Sequence, residues 1–309
     1  MPAIQTIGLT KHFRPGRRVP FRPARTEAIA AVDSLDLSVN EGEIFGFLGP
    51  NGAGKSTTIR MLLGFLHPSG GGGRVHGLDV VRESVAIRRR TGYLPGGIAL
   101  YDSLTGEALL EYLARLSDRP AVRRAELCEQ LELSRRTLRR KVRDYSRGMR
   151  QKIGIVQALQ HDPELAILDE PSEGLDPLMQ RAFYDILDRL KAEGRTVFFS
   201  SHVLSEVERV CDRVAIIRGG RLVALEEVQS LLTRARRQVT LRVAGASPSL
   251  TEVAGVSHVE QRGEVLTCRL EGDPRPFLAA IQQCVVLDLT IEPARLEDTF
   301  VDFYGDVES

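Results

Sequence analysis

The amino-acid sequence predicts an α/β protein in which helices cover a mostly parallel β-sheet, followed by a smaller α+β domain. Short, continuous apolar runs alternate with helical patterns over about the first 220 residues, as is typical of buried parallel strands. One of these runs leads through a glycine-rich turn into a helical pattern. After about residue 228, alternating strand patterns begin again. We therefore expect a first domain at 1–227, with a helical subdomain at about 97–162, and an accessory domain at 228–309.

Length and composition fit two ordinary globular domains and exclude several classes of protein. Of the 309 residues, 42% are hydrophobic and 27% are charged. The 42 Lys and Arg nearly balance the 41 Asp and Glu, so the net charge of +1 does not indicate nucleic acid as the main partner. No run reaches the roughly 18 apolar residues of a membrane-spanning helix, and the first residues lack an export signal. The four cysteines lack the spacing of a zinc site, which favours buried free thiols in a reducing compartment.

The elements of the first domain follow from the period of the apolar residues. Continuous apolar runs predict strands at 43–48, 165–168, 196–199 and 214–217. We expect the last three strands to neighbour the first. Apolar residues at helical spacing predict a helix at 55–66 and another at 104–116, with Thr105 as a plausible N-cap of the latter.

The accessory domain reads as alternating strands and helices. We expect a short helix at 248–254 and a last amphipathic stretch at 296–305. Two clusters of basic residues, at 11–25 and 135–143, lie in the first domain. They suit contact with anionic lipid headgroups or with acidic loops of a membrane partner, and equally a solvated face.

A glycine-rich loop carries the most specific motif in the chain. Residues 49–56, GPNGAGKS, match the pattern G-x-x-x-x-G-K-[ST] between a predicted strand and a predicted helix, as this motif requires. Its glycines let backbone N–H groups turn toward an anion, and the helix adds the positive end of its dipole. Lys55 would then bridge the β- and γ-phosphates of a nucleotide, and the Ser56 hydroxyl would bind Mg²⁺. The candidate nucleotide contacts here are Gly49, Pro50, Asn51, Gly52, Ala53, Gly54, Lys55, Ser56 and Thr57.

Two carboxylates, Asp169 and Glu170, follow the apolar run LAIL. Open α/β sheets bind their ligands at the carboxyl ends of the strands. Asp169 can hold Mg²⁺ through water, and Glu170 can orient or deprotonate the water that attacks the γ-phosphate. Taken alone, the pair would be a solvated strand end; together with the phosphate loop it predicts a site of nucleotide hydrolysis.

Further motifs resemble those of the ATP-binding cassette (ABC) ATPases, in consistent order over about residues 4–225. The segment YSRGMRQ, at 145–151, resembles the signature motif of the family, and Ser146 is a good N-cap for the helix after it. SEGLD, at 172–176, resembles the D-loop, and His202 resembles the H-loop histidine.

The resemblance assigns roles to these positions. It implies that the Ser146 hydroxyl and the Gly148 N–H meet the γ-phosphate bound by a second copy of the chain, which makes one subunit alone a poor ATPase. It makes His202 the γ-phosphate sensor that positions Glu170, the general base, with Lys55 as the third catalytic residue. The residues that it adds to the nucleotide site are Phe13, against adenine, and Ser146, Gly148 and Asp176.

Two positions depart from the family pattern. Gly96 stands where the family has the Q-loop glutamine, so we expect Ser56, Asp169 and water to hold the metal. Arg147 stands where the signature has glycine. Its cation would strengthen phosphate binding, its bulk would hinder the approach of the partner, or it points to solvent. Because the other catalytic positions are all present, we expect an active site.

The resemblance implies an ATP-binding and ATP-hydrolysing subunit, with ATP and Mg²⁺ as cofactors, that powers an ABC-type exporter by closure of a dimer. The expected partners are separate integral membrane permease subunits and a second cassette, as a homodimer or with a paralogue, and no nucleic acid. The expected location is cytoplasmic, peripheral on the inner face of the cell membrane. Residues 228–309 resemble the accessory domain of ABC-2-type exporter ATPases, including daunorubicin-resistance systems. The alternative is a soluble ABC ATPase that remodels ribosomes or nucleic acid.

Overall fold

The computed structural model describes residues 2–13, 29–234, 237–245 and 248–292. They belong to two compact units, Met1–Leu225 and Glu226–Ser309. In chain order, the strands up to the junction are β1 (Pro2–Phe13), β2 (Ile29–Asn40), β3 (Ile44–Leu48), β4 (Gly70–Val75), β5 (Leu78–Asp79), β6 (Thr91–Leu94), β7 (Leu165–Asp169), β8 (Thr196–Ser201), β9 (Arg213–Arg218) and β10 (Arg221–Glu227). The helices are α1 (Lys55–Leu62), α2 (Ser84–Arg90), α3 (Gly106–Ser117), α4 (Arg124–Gln130), α5 (Arg135–Leu138), α6 (Arg147–Leu159), α7 (Pro177–Ala192) and α8 (Leu204–Val210).

The central sheet has six strands in the order β10-β9-β3-β8-β7-β6, and β6, β7, β8, β3 and β9 run parallel. Every residue of β3, β7 and β8 is buried, which explains their continuous apolar sequences. The predicted strands are confirmed, but the prediction that all of them neighbour β3 is wrong for β7, which pairs with β6 and β8. The order of parallel strands depends on how the crossover connections pack, and the local sequence does not record that.

A second, antiparallel sheet with the order β2-β1-β4-β5 lies over the same core. The second half of β2 alternates buried and exposed residues, because one face of this sheet packs inward. Ile4 of β1, Phe45 and Phe47 of β3, Ile59 of α1 and Phe198 of β8 belong to one buried cluster. The strand before the loop, β3, and the helix after it, α1, are therefore both anchored in this cluster, which holds the two ends of the loop in place.

The chain between β6 and β7 is helical, as predicted, and comprises α3, α4, α5 and α6 with a short 3₁₀ turn at Val142–Asp144. Thr105 is the N-cap of α3, since its hydroxyl accepts a hydrogen bond from the backbone N–H of Ala108, as predicted. The basic residues at 135–143 are exposed on and after α5. Most of the other basic cluster lies outside the described residues.

The second unit contains α9 (Val228–Arg234), β11 (Arg237–Ala244), β12 (Val256–Arg262), β13 (Val265–Leu270), α10 (Arg275–Ile281) and β14 (Val285–Ile291). Its sheet is antiparallel in the order β12-β13-β11-β14, and Phe277 of α10 is buried in its core. The helix predicted at 248–254 is wrong: residues 248–250 are irregular, with Leu250 buried, and turns follow up to Gly255, which has φ of 81°. Seven residues make only about two helical turns, which is too short a helix to be stable without strong tertiary packing. The amphipathic stretch predicted at 296–305 lies outside the described residues.

No helix in the described part of the chain is long and apolar enough to cross a bilayer. Cys128, Cys211, Cys268 and Cys284 are all free thiols, as predicted, and the first three are buried.

Candidate nucleotide site

The loop between β3 and α1 folds as a cradle of backbone groups. Gly52 and Gly54 have φ of 83° and 110°, values that side chains disfavour. A Cβ on Gly54 would also lie 2.5 Å from the carbonyl oxygen of Ala31, so only glycine fits there. The loop borders a cavity of about 320 Å³ at the carboxyl edge of the central sheet. Of the predicted contacts, the ones that line this cavity are Pro50, Asn51, Gly52, Gly54, Lys55, Ser56, Thr57, Asp169 and Glu170.

Lys55 is a buried cation at the first position of α1, only 6% exposed. Its ammonium group donates a hydrogen bond to the carbonyl oxygen of Gly49 at 2.6 Å and lies 3.1 Å from Oε1 of Glu170. A buried ammonium group needs a counter-charge. Here the carboxylate of Glu170 supplies that charge, in the place where a phosphate of a nucleotide would supply it.

Asp169 is fixed by two serine hydroxyls. Ser56 donates to Oδ2 at 2.7 Å, and Ser200, at the end of β8, donates to Oδ1. The carboxylate is only 3% exposed and has no cation within ion-pair distance among the described residues. Hydroxyl and carboxylate oxygens are the ligands that Mg²⁺ prefers, so the donor set fits this metal. Gly96 adds no ligand, and a Cβ there would lie 3.2 Å from Oδ2 of Asp169.

Glu170 directly follows β7 in a strained backbone conformation, with φ of 52°. Its backbone N–H donates to the carbonyl oxygen of Ser200 at 3.1 Å. Its Oε2 shares a hydrogen bond of 2.8 Å with Nδ1 of His202. Its Oε1 is buried and ion-paired with Lys55, so it becomes an acceptor for the proton of a water molecule only when that ammonium group moves to another partner. The structure therefore brings together all three predicted catalytic residues.

The signature residues lie elsewhere in the same chain. Ser146 caps α6, since its hydroxyl accepts from the N–H of Met149 at 3.2 Å, and neither Ser146 nor Gly148 lines the loop cavity. Asp176 likewise does not line it, because its carboxylate caps α7 through the N–H groups of Leu178 and Met179. Within one subunit, the signature serine and glycine therefore do not line the cavity of the phosphate loop.

The Arg147 side chain is 70% exposed but has a partner on the surface. Its guanidinium group forms an ion pair with Glu173, and a Cβ on Gly174 would lie 3.1 Å from its side chain. Glu173 lines the loop cavity, so Arg147 connects the start of α6 to that cavity within one chain. Glu173 lies in the segment that resembles the D-loop, which is the signal that could have found it, but the sequence pattern did not assign it a role in the site.

Phe13 lies at the end of β1 and is 43% exposed. The ammonium group of Lys11 lies 5.6 Å from the centre of its ring, and the ring does not line the loop cavity. The exposed face leaves room for a stacked base, but the residues that follow, 14–28, are outside the described part of the chain.

Gln151 and Ser200 are two further residues of the site that the sequence pattern did not assign. The side-chain amide of Gln151 donates a hydrogen bond of 2.6 Å to the carbonyl oxygen of Pro171, the residue after Glu170. It is the last residue of the signature segment, and that position is the signal that could have found it. Ser200, which binds Asp169, carries no motif of its own.

A phosphate loop before α1, with two acidic residues at the end of the parallel strand β7, places this chain among the P-loop nucleoside triphosphatases. The family model described as "ABC transporter" matches residues 32–173. An uncharacterised ABC transporter ATP-binding protein, YhcH of Bacillus subtilis, is 34% identical over 282 residues, covering 90% of this chain and 92% of the relative. The daunorubicin resistance ATP-binding protein DrrA3 of Streptomyces coeruleorubidus is 35% identical over 291 residues, covering 89% and 92%. The chain belongs to the ABC transporter ATP-binding proteins.

Solved structures agree with this assignment. An ATP-binding subunit of an ABC transporter is 29% identical and covers 74% of this chain and 91% of its own length, with a TM-score of 0.64. A dimeric bacterial ABC transporter cassette is 25% identical and covers 73% and 98%, with a TM-score of 0.65. The predicted fold class and family are confirmed, and the protein is an ATP-binding and ATP-hydrolysing subunit of an ABC transporter. The alternative of a ribosome or nucleic-acid remodelling factor is not favoured.

Proposed function

We propose that two copies of this chain close around two ATP molecules, and that their opening and closing drives an exporter. The observation that carries the proposal is the separation of two phosphate-binding features within one chain. The cradle of Lys55 and Ser56 lines the loop cavity, whereas the capped start of α6 at Ser146 does not. Each feature offers N–H groups to an anion, and a second copy brings them together on one nucleotide.

Lys55, Ser56, Asp169 and Glu170 of the cavity, and His202 beside it, each have a role in this proposal. Lys55 exchanges its contact with Glu170 for the β- and γ-phosphates, which frees the carboxylate. Glu170 then accepts a proton from the attacking water on Oε1, the oxygen that Lys55 has left, and His202 holds Oε2 in place. Ser56 and Asp169 hold Mg²⁺, which neutralises charge on the phosphates when it is bound.

The partners follow from the family and from the names of the relatives. Similar chains include an ATP-binding protein for Nod factor export in Cupriavidus pinatubonensis, 35% identical over 286 residues, and the daunorubicin resistance protein above. We infer that this subunit binds separate permease subunits at the inner face of a membrane and exports a molecule that the permease selects. The unit Glu226–Ser309 would stabilise the dimer or regulate its cycle.

A mixing experiment tests the shared site. Lys55→Met removes the cation of the phosphate loop, and Ser146→Asp keeps a good N-cap but places a negative charge where the γ-phosphate should arrive. We expect each variant alone to lose about 100-fold or more of its ATPase activity. A mixture of the two should regain about a quarter of the wild-type rate, because half of the dimers then contain one intact composite site.

The same assay distinguishes a site that lies within one subunit. In that case the Ser146→Asp variant would stay active, or the mixture would be no more active than its components. Wild-type protein mixed with each variant is the control for subunit exchange.

A further inference from the structure

Glu206 is a buried carboxyl group on α8 to which the hydrolytic site described above gives no role. The residue is only 8% exposed. Ser172 donates a hydrogen bond to Oε1, and Ser201 donates one to Oε2 at 2.7 Å. Tyr184 of α7 faces the same carboxyl group. Burial raises the pKa of the Tyr184 phenol, and the charge of Glu206 and the hydrogen bond between the two side chains raise this pKa further. Among the described residues, no cation lies within ion-pair distance of Glu206.

The two serines stand directly beside the catalytic residues. Ser172 lies two residues after Glu170, and Ser201 lies immediately before His202. The hydroxyl of Ser201 also accepts a hydrogen bond from the N–H of Val203 at 2.9 Å, so the backbone is held on both sides of His202. One carboxyl group therefore links the loop that carries Glu170 to the strand end that carries His202.

The backbone at Glu170 needs such support. Its φ of 52° is costly for a residue with a side chain, by about 1–3 kcal/mol. The hydrogen bond to Ser200 fixes the chain at Glu170 itself, and the hydrogen bond from Gln151 fixes Pro171 after it. Ser172 is the next residue, and its side-chain partner is Glu206.

We propose that Glu206 is a positioning residue for ATP hydrolysis, which holds Ser172 and Ser201 and thereby sets the contact between Glu170 and His202. It does not line the loop cavity. The contact that it sets is the hydrogen bond of 2.8 Å between Oε2 of Glu170 and Nδ1 of His202. This inference rests on the proposed roles of Glu170 and His202.

A glutamate suits this position because its two oxygens accept one hydrogen bond each from two separate donors. A glutamine has one carbonyl oxygen, so only one serine can donate to it while the other must accept from the amide. A leucine of similar size leaves both buried hydroxyls without a partner. The residue types thus predict a graded series of variants.

The test measures ATPase kinetics of the full-length protein with MgATP. The double variant Ser172→Ala and Ser201→Ala removes both links with little loss of volume, and Glu206→Gln weakens one of them. We expect kcat to fall about tenfold or more in the double variant and about threefold in Glu206→Gln, while KM for ATP changes less than about twofold. Glu206→Leu should resemble the double variant.

Tyr184→Phe is the matched control, because it removes a hydroxyl that faces the same carboxyl group from α7, away from the catalytic residues. Its kcat should stay within about twofold of the wild type even if its Tm falls. Glu170→Gln is the reference for the site itself and should abolish turnover.

The outcomes separate the two proposals. If Glu170→Gln is inactive but the serine and Glu206 variants keep kcat within about twofold of the wild type, the positioning role is refuted and the proposed site stands. If these variants lose kcat and ATP affinity together in proportion to their Tm, Glu206 is structural only. If Glu170→Gln itself turns over ATP, the roles assigned to Glu170 and His202 fail, and the inference with them.

Discussion

Asp169 and Glu170 are adjacent in the sequence but are held in different ways. Two hydroxyls hold Asp169, which keeps its oxygens in one orientation without a competing cation. Glu170 instead lies between an ammonium group at Oε1 and an imidazole at Oε2. The first arrangement suits a metal ligand, and the second suits a general base that exchanges partners during the reaction.

Gly96 offers a prediction about the metal. A Cβ at this position would lie 3.2 Å from Oδ2 of Asp169, which is shorter than an ordinary van der Waals contact. The hydrogen bonds from Ser56 and Ser200 restrict the movement of the carboxylate away from it. We expect Gly96→Ala to raise the Mg²⁺ concentration needed for half-maximal ATPase activity by about threefold to tenfold. Titration of ATPase activity with Mg²⁺ measures this shift.

The neighbouring glycine is the control. A Cβ on Gly97 would have nothing within 4 Å, so Gly97→Ala should leave the Mg²⁺ dependence unchanged. If both variants titrate like the wild type, Asp169 does not hold the metal in the way proposed.

At the scale of elements, Asp162 connects the helical subdomain to the central sheet. It follows α6 and accepts hydrogen bonds from Arg123, next to α4, at 2.6 Å, and from Arg195, next to β8. Burial alone would raise the pKa of Asp162, but the hydrogen bonds and charges of the two arginines hold this pKa below its ordinary value. The carboxylate of Asp162 therefore links the end of α6 to the start of α4 and to the start of β8.

Asp162→Asn tests this connection without disturbing the backbone. The residue has φ of 54°, which asparagine tolerates well. We expect the free energy of unfolding to fall by about 2 kcal/mol at pH 7, because two charge-assisted hydrogen bonds are weakened. Urea unfolding of both proteins measures the difference.

The pH dependence of that difference is also predicted. Because folding lowers the pKa of Asp162, its stabilising contribution is complete above the ordinary value of about 4 and disappears as the pH falls through the lower, folded value. The two proteins should differ equally from pH 8 to about pH 5 and converge below about pH 4. A difference that is unchanged at low pH would assign the effect to packing and not to charge.

Elements with strong local signals were predictable from the sequence, and their arrangement was not. Continuous apolar runs located β3, β7, β8 and β9, and N-cap chemistry located the start of α6 at Ser146. The strand order placed β8 between β3 and β7, which depends on contacts between distant parts of the chain. The segment 248–254 shows where a local signal fails. Its helical pattern covers only seven residues, too few for a stable helix, and the chain there forms irregular structure and turns with Leu250 buried.

The same distinction holds for the site. The loop residues could be assigned because their motif implies one geometry, whereas Ser200 and Glu206 carry no motif and act only through what they contact. Asp176 shows that a motif can also have a local use, since it caps α7 in this chain. Whether Asp176 also meets a nucleotide bound by a partner stays a prediction.

At the scale of the whole molecule, the account depends on two copies. Ser146 and Gly148, at the start of the signature helix, do not line the cavity of the phosphate loop, and in the proposed dimer the signature of another chain completes the site. ATP would then be part of the interface, and its hydrolysis would release the two subunits. This cycle is what would move a permease.

The most direct test is the mass of the protein in solution with and without MgATP, measured by light scattering after gel filtration. The Glu170→Gln variant binds ATP but should not hydrolyse it, so its mass should rise from 34.2 kDa to about twice that value when ATP is added. When Ser146→Asp is added to this variant, the protein should keep the mass of one chain with ATP. The control is Ser134→Asp, at the similar N-cap of α5; added to Glu170→Gln, it should still allow the mass to double with ATP. A Glu170→Gln protein that binds ATP and remains at the mass of one chain would contradict the shared site.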